Sequence, residues 1–127
     1  MEIGVFMKFS NTHEWVEIND DIATIGVTNF GRMHLGDIVN IKLPEINKDV
    51  KANEAICVLE SNKAAVDIHS PMSGKVIEIN DKLEKDLKDL NTSAEEKGWL
   101  FKVKISDPKE DNNLMTLDEY EKKVSSD

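Results

Sequence analysis

The chain has 127 residues, enough for one domain with a modest core, and its 25 acidic against 16 basic residues give a net charge of -9. That balance argues against sequence-independent nucleic-acid binding, which needs clustered Lys and Arg to displace counterions, and it suits basic partner surfaces. The lone Cys57 cannot make an internal disulfide, and no apolar run approaches the roughly 20 residues that cross a bilayer.

Residues 1–8 contain an acid and lack the basic, apolar, small-residue order of a secretory signal, so a cytoplasmic setting is expected. A mitochondrial matrix setting is expected only if a presequence has been removed. Strands are predicted over 15–18 and 22–27 from their β-branched and alternating content. Thr28-Asn29 can cap a short helix through Phe30 to Leu35, which Gly36 ends where a positive φ is easiest. Further strands are predicted over 38–43, 55–60, 65–68, 74–80 and 99–105. Cys57, in an apolar run, reads as a small structural hydrophobe.

A quasi-repeat relates Gly36-Asp37-Ile38-Val39-Asn40-Ile41 to Gly74-Lys75-Val76-Ile77-Glu78-Ile79, two similar halves bracketing the segment around Lys63. Residues 80–97 read as a charged, partly helical connection anchored by Leu83, Leu87 and Leu90. Leu114, Leu117, Tyr120 and Val124 recur at helical spacing and predict a helix over about 113–124, capped by Asn112 or Asn113 and packed on the sheet. The expected architecture is one all-β domain over 1–127, a sandwich or flattened barrel with short flanking helices and a C-terminal helix.

Within it Lys63 interrupts two strand-like runs, and Ser61-Asn62 supply the side chains of a tight hairpin tip. A lysine is ordinarily a solvated charge. The surrounding Glu60-Ser61-Asn62-Lys63-Ala64, leading to Ser70-Pro71-Met72-Ser73-Gly74, gives this one a different meaning. It resembles the lipoylation site of the glycine cleavage system H protein family. Thr12-His13-Glu14-Trp15-Val16, Ile22-Ala23-Thr24-Ile25-Gly26-Val27-Thr28, Leu35-Gly36-Asp37-Ile38-Val39, Leu43-Pro44-Glu45 and Gly98-Trp99-Leu100-Phe101-Lys102-Val103 match the family in the same order.

The resemblance implies a barrel-sandwich hybrid of the lipoyl/biotinyl hammerhead type and one lipoate joined covalently to Lys63. Glu60, Ser61, Asn62 and Ala64 would be read by a lipoate ligase or lipoyltransferase, which must also deprotonate an amine that ordinarily titrates near ~10.4. The chain would be a monomeric, non-catalytic carrier. It would take the aminomethyl group of glycine from glycine decarboxylase (P protein) to the aminomethyltransferase (T protein), and dihydrolipoyl electrons to dihydrolipoamide dehydrogenase (L protein). In the family the loaded arm folds into a surface cleft. By position in the matched motifs, Glu14 and Asp67 are the acidic candidates for that cleft and His34 a polar contact.

Other readings are set apart by particular residues. An H-like carrier serving lipoyl relay, sulfur oxidation or redox defence shares the same lysine. A biotin carrier usually flanks its lysine with methionines, where Asn62 and Ala64 stand here. A dehydrogenase acyltransferase domain would show Asp-Lys-Ala and a flexible linker. An unmodified interaction module would leave the distributed motifs without purpose. The histidines at 13, 34 and 69 lack the close spacing of a metal site, so no metal is expected. Asn62, Val66, Arg32 and Ala94-Glu95-Glu96-Lys97 depart from the family's commoner residues and bear on partner docking rather than on the lysine.

Overall fold

A computed structural model describes residues 6–125; the first five residues, part of the stretch weighed as a leader, and the last two lie outside it. The strands form two sheets. β1 (Phe6–Phe9), β2 (Glu14–Asn19) and β3 (Ile22–Val27) lead into helix α1 (Asn29–Leu35), followed by β4 (Ile38–Lys42), β5 (Asp49–Val50), β6 (Glu54–Ser61), β7 (Ala65–Ser70) and β8 (Gly74–Ile79). A 3-10 turn and helix α2 (Lys88–Thr92) cross to β9 (Phe101–Ile105), and the chain closes with helix α3 (Leu117–Ser125). One sheet runs β1-β2-β3-β9-β8-β5 and the other β4-β6-β7. This is the all-β sandwich that the strand spacing predicts.

The core lies between the sheets, where Val16, Ile25, Leu59, Ile68, Met72, Val76, Leu100 and Phe101 are fully buried. Each such side chain contributes about 1.5–3 kcal/mol of transfer free energy. Leu83 and Leu90 close one end as anchors of the 80–97 connection, with Leu87 packed against them. A second cluster of Phe9, Trp15 and Tyr120 sits beneath α3.

The quasi-repeat has a structural meaning. In β4 the register slips between Ile38 and Asn40, leaving Val39 as the extra residue. In β8 it slips between Val76 and Glu78, leaving Ile77. Val39 and Ile77 occupy the same position of the repeat, so each half carries a β-bulge at one place, and both bulged side chains are exposed.

Some boundaries differ from the sequence reading. β1 is an edge strand that it did not anticipate, and Trp99 and Leu100 precede β9, although Leu100 N still donates to Ile25 O at 2.8 Å. The C-terminal helix begins at Leu117, not near 113, because residues 114–116 run extended while Met115 exchanges backbone hydrogen bonds of 2.9 and 2.7 Å with Phe9. Neither Asn112 nor Asn113 is its cap. Thr116 is: its hydroxyl accepts from Glu119 N at 3.2 Å, while the Glu119 carboxylate accepts from Thr116 N at 2.8 Å. Leu117 consequently turns outward, and Tyr120 carries the packing.

Candidate functional site

The β6–β7 hairpin is organised by one side chain. Ser61 N donates to Ala64 O at 2.8 Å, and Ser61 Oγ accepts from Lys63 N at 3.1 Å and Ala64 N at 3.2 Å. Those backbone groups are satisfied locally, so Lys63 stands exposed at the tip with its position set by a three-residue motif. Beside it Asn40 Nδ2 donates to Glu60 Oε1 at 2.6 Å, tying the base of the tip to β4. Asn62 and Ala64 are exposed on either side.

Lys63 also lines a groove of about 350 Å3 between the hairpin and α1. Val27, Leu35 and Ile68 give it an apolar floor, and Val66 extends that surface toward the lysine. Helix α1 forms the facing wall: Phe30 and His34, four residues apart, fall on one helix face and their ring centroids lie 4.1 Å apart. Nδ1 of His34 is 3.0 Å from Phe30 O. A carbonyl only accepts, so Nδ1 carries the proton and a neutral His34 presents Nε2 as an acceptor. His13, with φ of 69°, continues the wall, its ring 5.1 Å from that of Phe30. Gly31 allows this approach, since a Cβ there would stand 3.1 Å from His13 Cβ and 3.2 Å from Val27 Cγ2.

Asp67 lines the groove on the outer strand of the small sheet. In antiparallel strands alternate residues turn their N–H away from the partner strand. His69 N does so, donating to Glu14 Oε2 at 2.9 Å. Asp67, two residues earlier, turns the same peptide edge outward. The structure thus brings Lys63, His34 and Asp67 to one groove.

Glu14 is not among its lining residues. It is fully buried, and its carboxylate accepts from the hydroxyls of Ser10 and Thr12 at Oε1, and from His69 N and the His69 ring at Oε2, the ring nitrogen 3.2 Å away. Glu14 belongs to the large sheet and His69 to the small one, so the carboxylate links the two layers. It meets the groove through Thr12, which itself lines it.

Sequence reasoning missed Thr12, His13, Phe30 and Gly31. The pair Phe30 and His34 was visible as an i, i+4 match on a predicted helix. His13 was hidden by a left-handed backbone conformation, which the modest preference of His for positive φ is too weak to announce. Cys57 is 2 % exposed, and burial pushes its thiol up to about 12, which leaves it unreactive. Among the described residues no group of three or more His, Cys, Asp or Glu is placed to hold a metal, and no helix is long and apolar enough to cross a membrane.

The family described as Glycine cleavage H-protein matches residues 7–127. The chain is 44% identical over 114 residues to the Glycine cleavage system H protein of Thermotoga maritima, covering 90% of this chain and 92% of that one. It is 41% identical over 116 residues to the mitochondrial Glycine cleavage system H protein 2 of Arabidopsis thaliana, covering 91% and 74%. The crystal structure of a glycine cleavage system H protein from Mycobacterium marinum superposes with a TM-score of 0.87 at 29% identity, covering 97% of this chain and 99% of that one.

Proposed function

The chain belongs to the glycine cleavage H-protein family, and we propose that it is the lipoyl carrier of glycine cleavage, a single carrier domain with Lys63 as its attachment residue. The observation that carries this reading is the exposed lysine at a self-organised hairpin tip, placed at the rim of an apolar groove. The groove suits a lipoyl arm in chemical type. Its floor is aliphatic, its facing wall aromatic, and its polar groups are few. Bound there, the lipoyl group would supply the disulfide-dithiol redox and group-carrying chemistry that side chains lack.

The chain's own residues would present, shelter and orient. Ser61 holds the backbone of the tip, so a lipoate ligase or lipoyltransferase meets Lys63 Nζ in one geometry and has only to remove its proton. Glu60, Asn62 and Ala64 surround that amine and are the residues the modifying enzyme would contact. Val27, Leu35, Ile68 and Phe30 would shield an arm seated in the groove from water. Asp67 lines it on the outer strand, and its carboxylate would pair with a cationic aminomethyl group, while His34 Nε2 would accept a hydrogen bond. Glu14 acts from behind, by fixing Thr12 and His69.

In this role the chain does no chemistry alone and depends on the P, T and L proteins in turn. Intact and peptide mass spectrometry after expression with lipoate and a ligase is the direct test. One lipoyl increment on Lys63, absent in Lys63→Arg, is expected. A biotin increment, or none with a competent ligase, would refute the carrier assignment. Lipoylated protein that fails to support exchange of the glycine carboxyl with bicarbonate by its cognate P protein would point to a carrier of another pathway.

A further inference from the structure

Helix α3 contributes no lining residue to the groove, yet one of its side chains is bonded to two of the groove's supports. Tyr120 is 4 % exposed, and its ring stacks on Phe9 with centroids 4.8 Å apart and planes 12° from parallel. An apolar cluster of Phe9 and Trp15 would accept a phenylalanine there, and a buried hydroxyl without partners would be costly. This one has two. Tyr120 Oη lies 2.8 Å from His13 Nδ1 and 2.7 Å from Thr28 Oγ1.

Both partners shape the groove. His13 is part of its wall. Thr28 is the N-cap of α1, its Oγ1 accepting from Gly31 N at 3.1 Å, and its own N–H donates to His13 O at 2.9 Å. A phenol has one proton to give and lone pairs to receive another, so it can serve both neighbours at once. Burial raises the Tyr120 hydroxyl above its ordinary value, which keeps that proton in place through the neutral range.

We infer that Tyr120 is a positioning residue for the groove: through one hydroxyl the C-terminal helix holds both the His13 ring and the cap of α1, so the groove keeps its shape only while that helix is docked. The helix is itself fastened upstream, by the paired bonds of Met115 with Phe9 and by the Thr116–Glu119 cap. The wall between hairpin and α1 is thereby braced from a segment 107 residues away in sequence. What the groove shelters rests on the carrier reading above; the brace itself does not.

Tyr120→Phe keeps the ring and its stacking and removes both hydroxyl bonds. The expected result is an unchanged circular dichroism spectrum with a Tm lower by about 3–10 °C. Amide exchange at Gly31 should quicken about tenfold and the His13 ring nitrogen resonances should move. Lipoylation of Lys63 should be unchanged, while alkylation of the reduced arm by iodoacetamide should be roughly 3–10-fold faster than in wild type, a factor on the scale of one lost hydrogen bond. Thr28→Ser, which retains the hydroxyl, should match wild type throughout. If Tyr120→Phe does not fold, Thr28→Val removes one of the two bonds together with the cap on Gly31, so its readout is the His13 ring nitrogen resonances, which should move if both partners are held through Tyr120 Oη and whose constancy would overturn the inference.

A folded Tyr120→Phe protein with wild-type Gly31 exchange and wild-type alkylation overturns the inference, as does faster Gly31 exchange with unchanged alkylation, which would make Tyr120 merely structural. Absence of any lipoyl increment on the wild-type chain would refute the carrier reading instead, leaving Gly31 exchange and the His13 resonances to decide the brace.

Discussion

Replacing Glu14 tests the internal frame of the site. Its carboxylate is fully buried and accepts four hydrogen bonds, from the Ser10 and Thr12 hydroxyls, His69 N and His69 Nδ1. A buried carboxylate persists only when so satisfied. Glu14→Ala leaves His69 N without an acceptor, worth about 1–3 kcal/mol, and removes the acceptor of the half-buried His69 ring and part of the packing between the sheets. The hydroxyls can partly compensate, since Ser10 Oγ and Thr12 Oγ1 already lie 3.4 Å apart. The total expected loss is about 2–4 kcal/mol. Glu14→Gln behaves differently. Its oxygen can turn to His69 and its amide to the two hydroxyls, which rotate to accept, so only the charge assistance is lost, about 1–2 kcal/mol. Urea melts of the two variants are the assay, with lipoylation of Lys63 measured alongside and expected to be unaffected. An alanine variant within about 0.5 kcal/mol of wild type, or a glutamine variant less stable than the alanine one, would refute this account of the network.

Ser61→Ala removes the acceptor of two tip amides on an exposed turn; stability should change by less than about 1 kcal/mol while lipoylation of Lys63 slows several-fold, read by a ligase time course with intact mass detection. Thr116→Ala removes the helix cap and should cost about 1 kcal/mol, with backbone exchange rising first in α3. Cys57, raised from 9.0 to about 12 by burial, should resist a disulfide reagent at pH 8 until the protein is unfolded. The sign for stability follows from the same shift: above pH 9 the unfolded chain releases the thiol proton and the folded chain does not, so stability contributed by this group is lost as pH rises from 9 toward 12, observable as a declining urea midpoint. Asp67→Asn should leave lipoylation unchanged and shorten the lifetime of the loaded aminomethyl form, measured by ammonia release in the absence of T protein.

What could be read from the sequence was whatever local chemistry specifies. The strands other than β1 and the two-residue β5 announce themselves by β-branched or alternating content, α1 by Thr28 and Gly36, and the hairpin tip by Ser61-Asn62 between apolar runs. The quasi-repeat was visible as a pattern, although the shared bulge at Val39 and Ile77 was not, because a bulge is a relation between two strands. The C-terminal helix was placed too early because Leu114 fits its period, whereas pairing of Met115 with Phe9 overrides that fit. Asp67 and His34 are among the residues that line the groove. Glu14 drew attention as a carboxylate in a matched motif, and its burial depends on a strand 55 residues away.

The site separates into two parts with different physical origins. The tip that displays Lys63 is specified by neighbours in sequence: Ser61 closes the turn using groups no more than three residues away. The groove is specified by long-range bonds, Glu14 to His69 across 55 residues and Tyr120 to His13 and Thr28 across 107 and 92. A perturbation of the second set should therefore leave attachment to Lys63 intact while loosening the shelter, and a perturbation of Ser61 should do the reverse. The separation suits a carrier. A modifying enzyme needs the tip to be presented whether or not the groove is filled, whereas the partner that unloads the arm needs the groove to release it without unfolding the hairpin. A single rigid network serving both tasks would tie release of the arm to distortion of the tip, and the independence of the Ser61 turn from the Glu14 and Tyr120 bonds avoids that coupling.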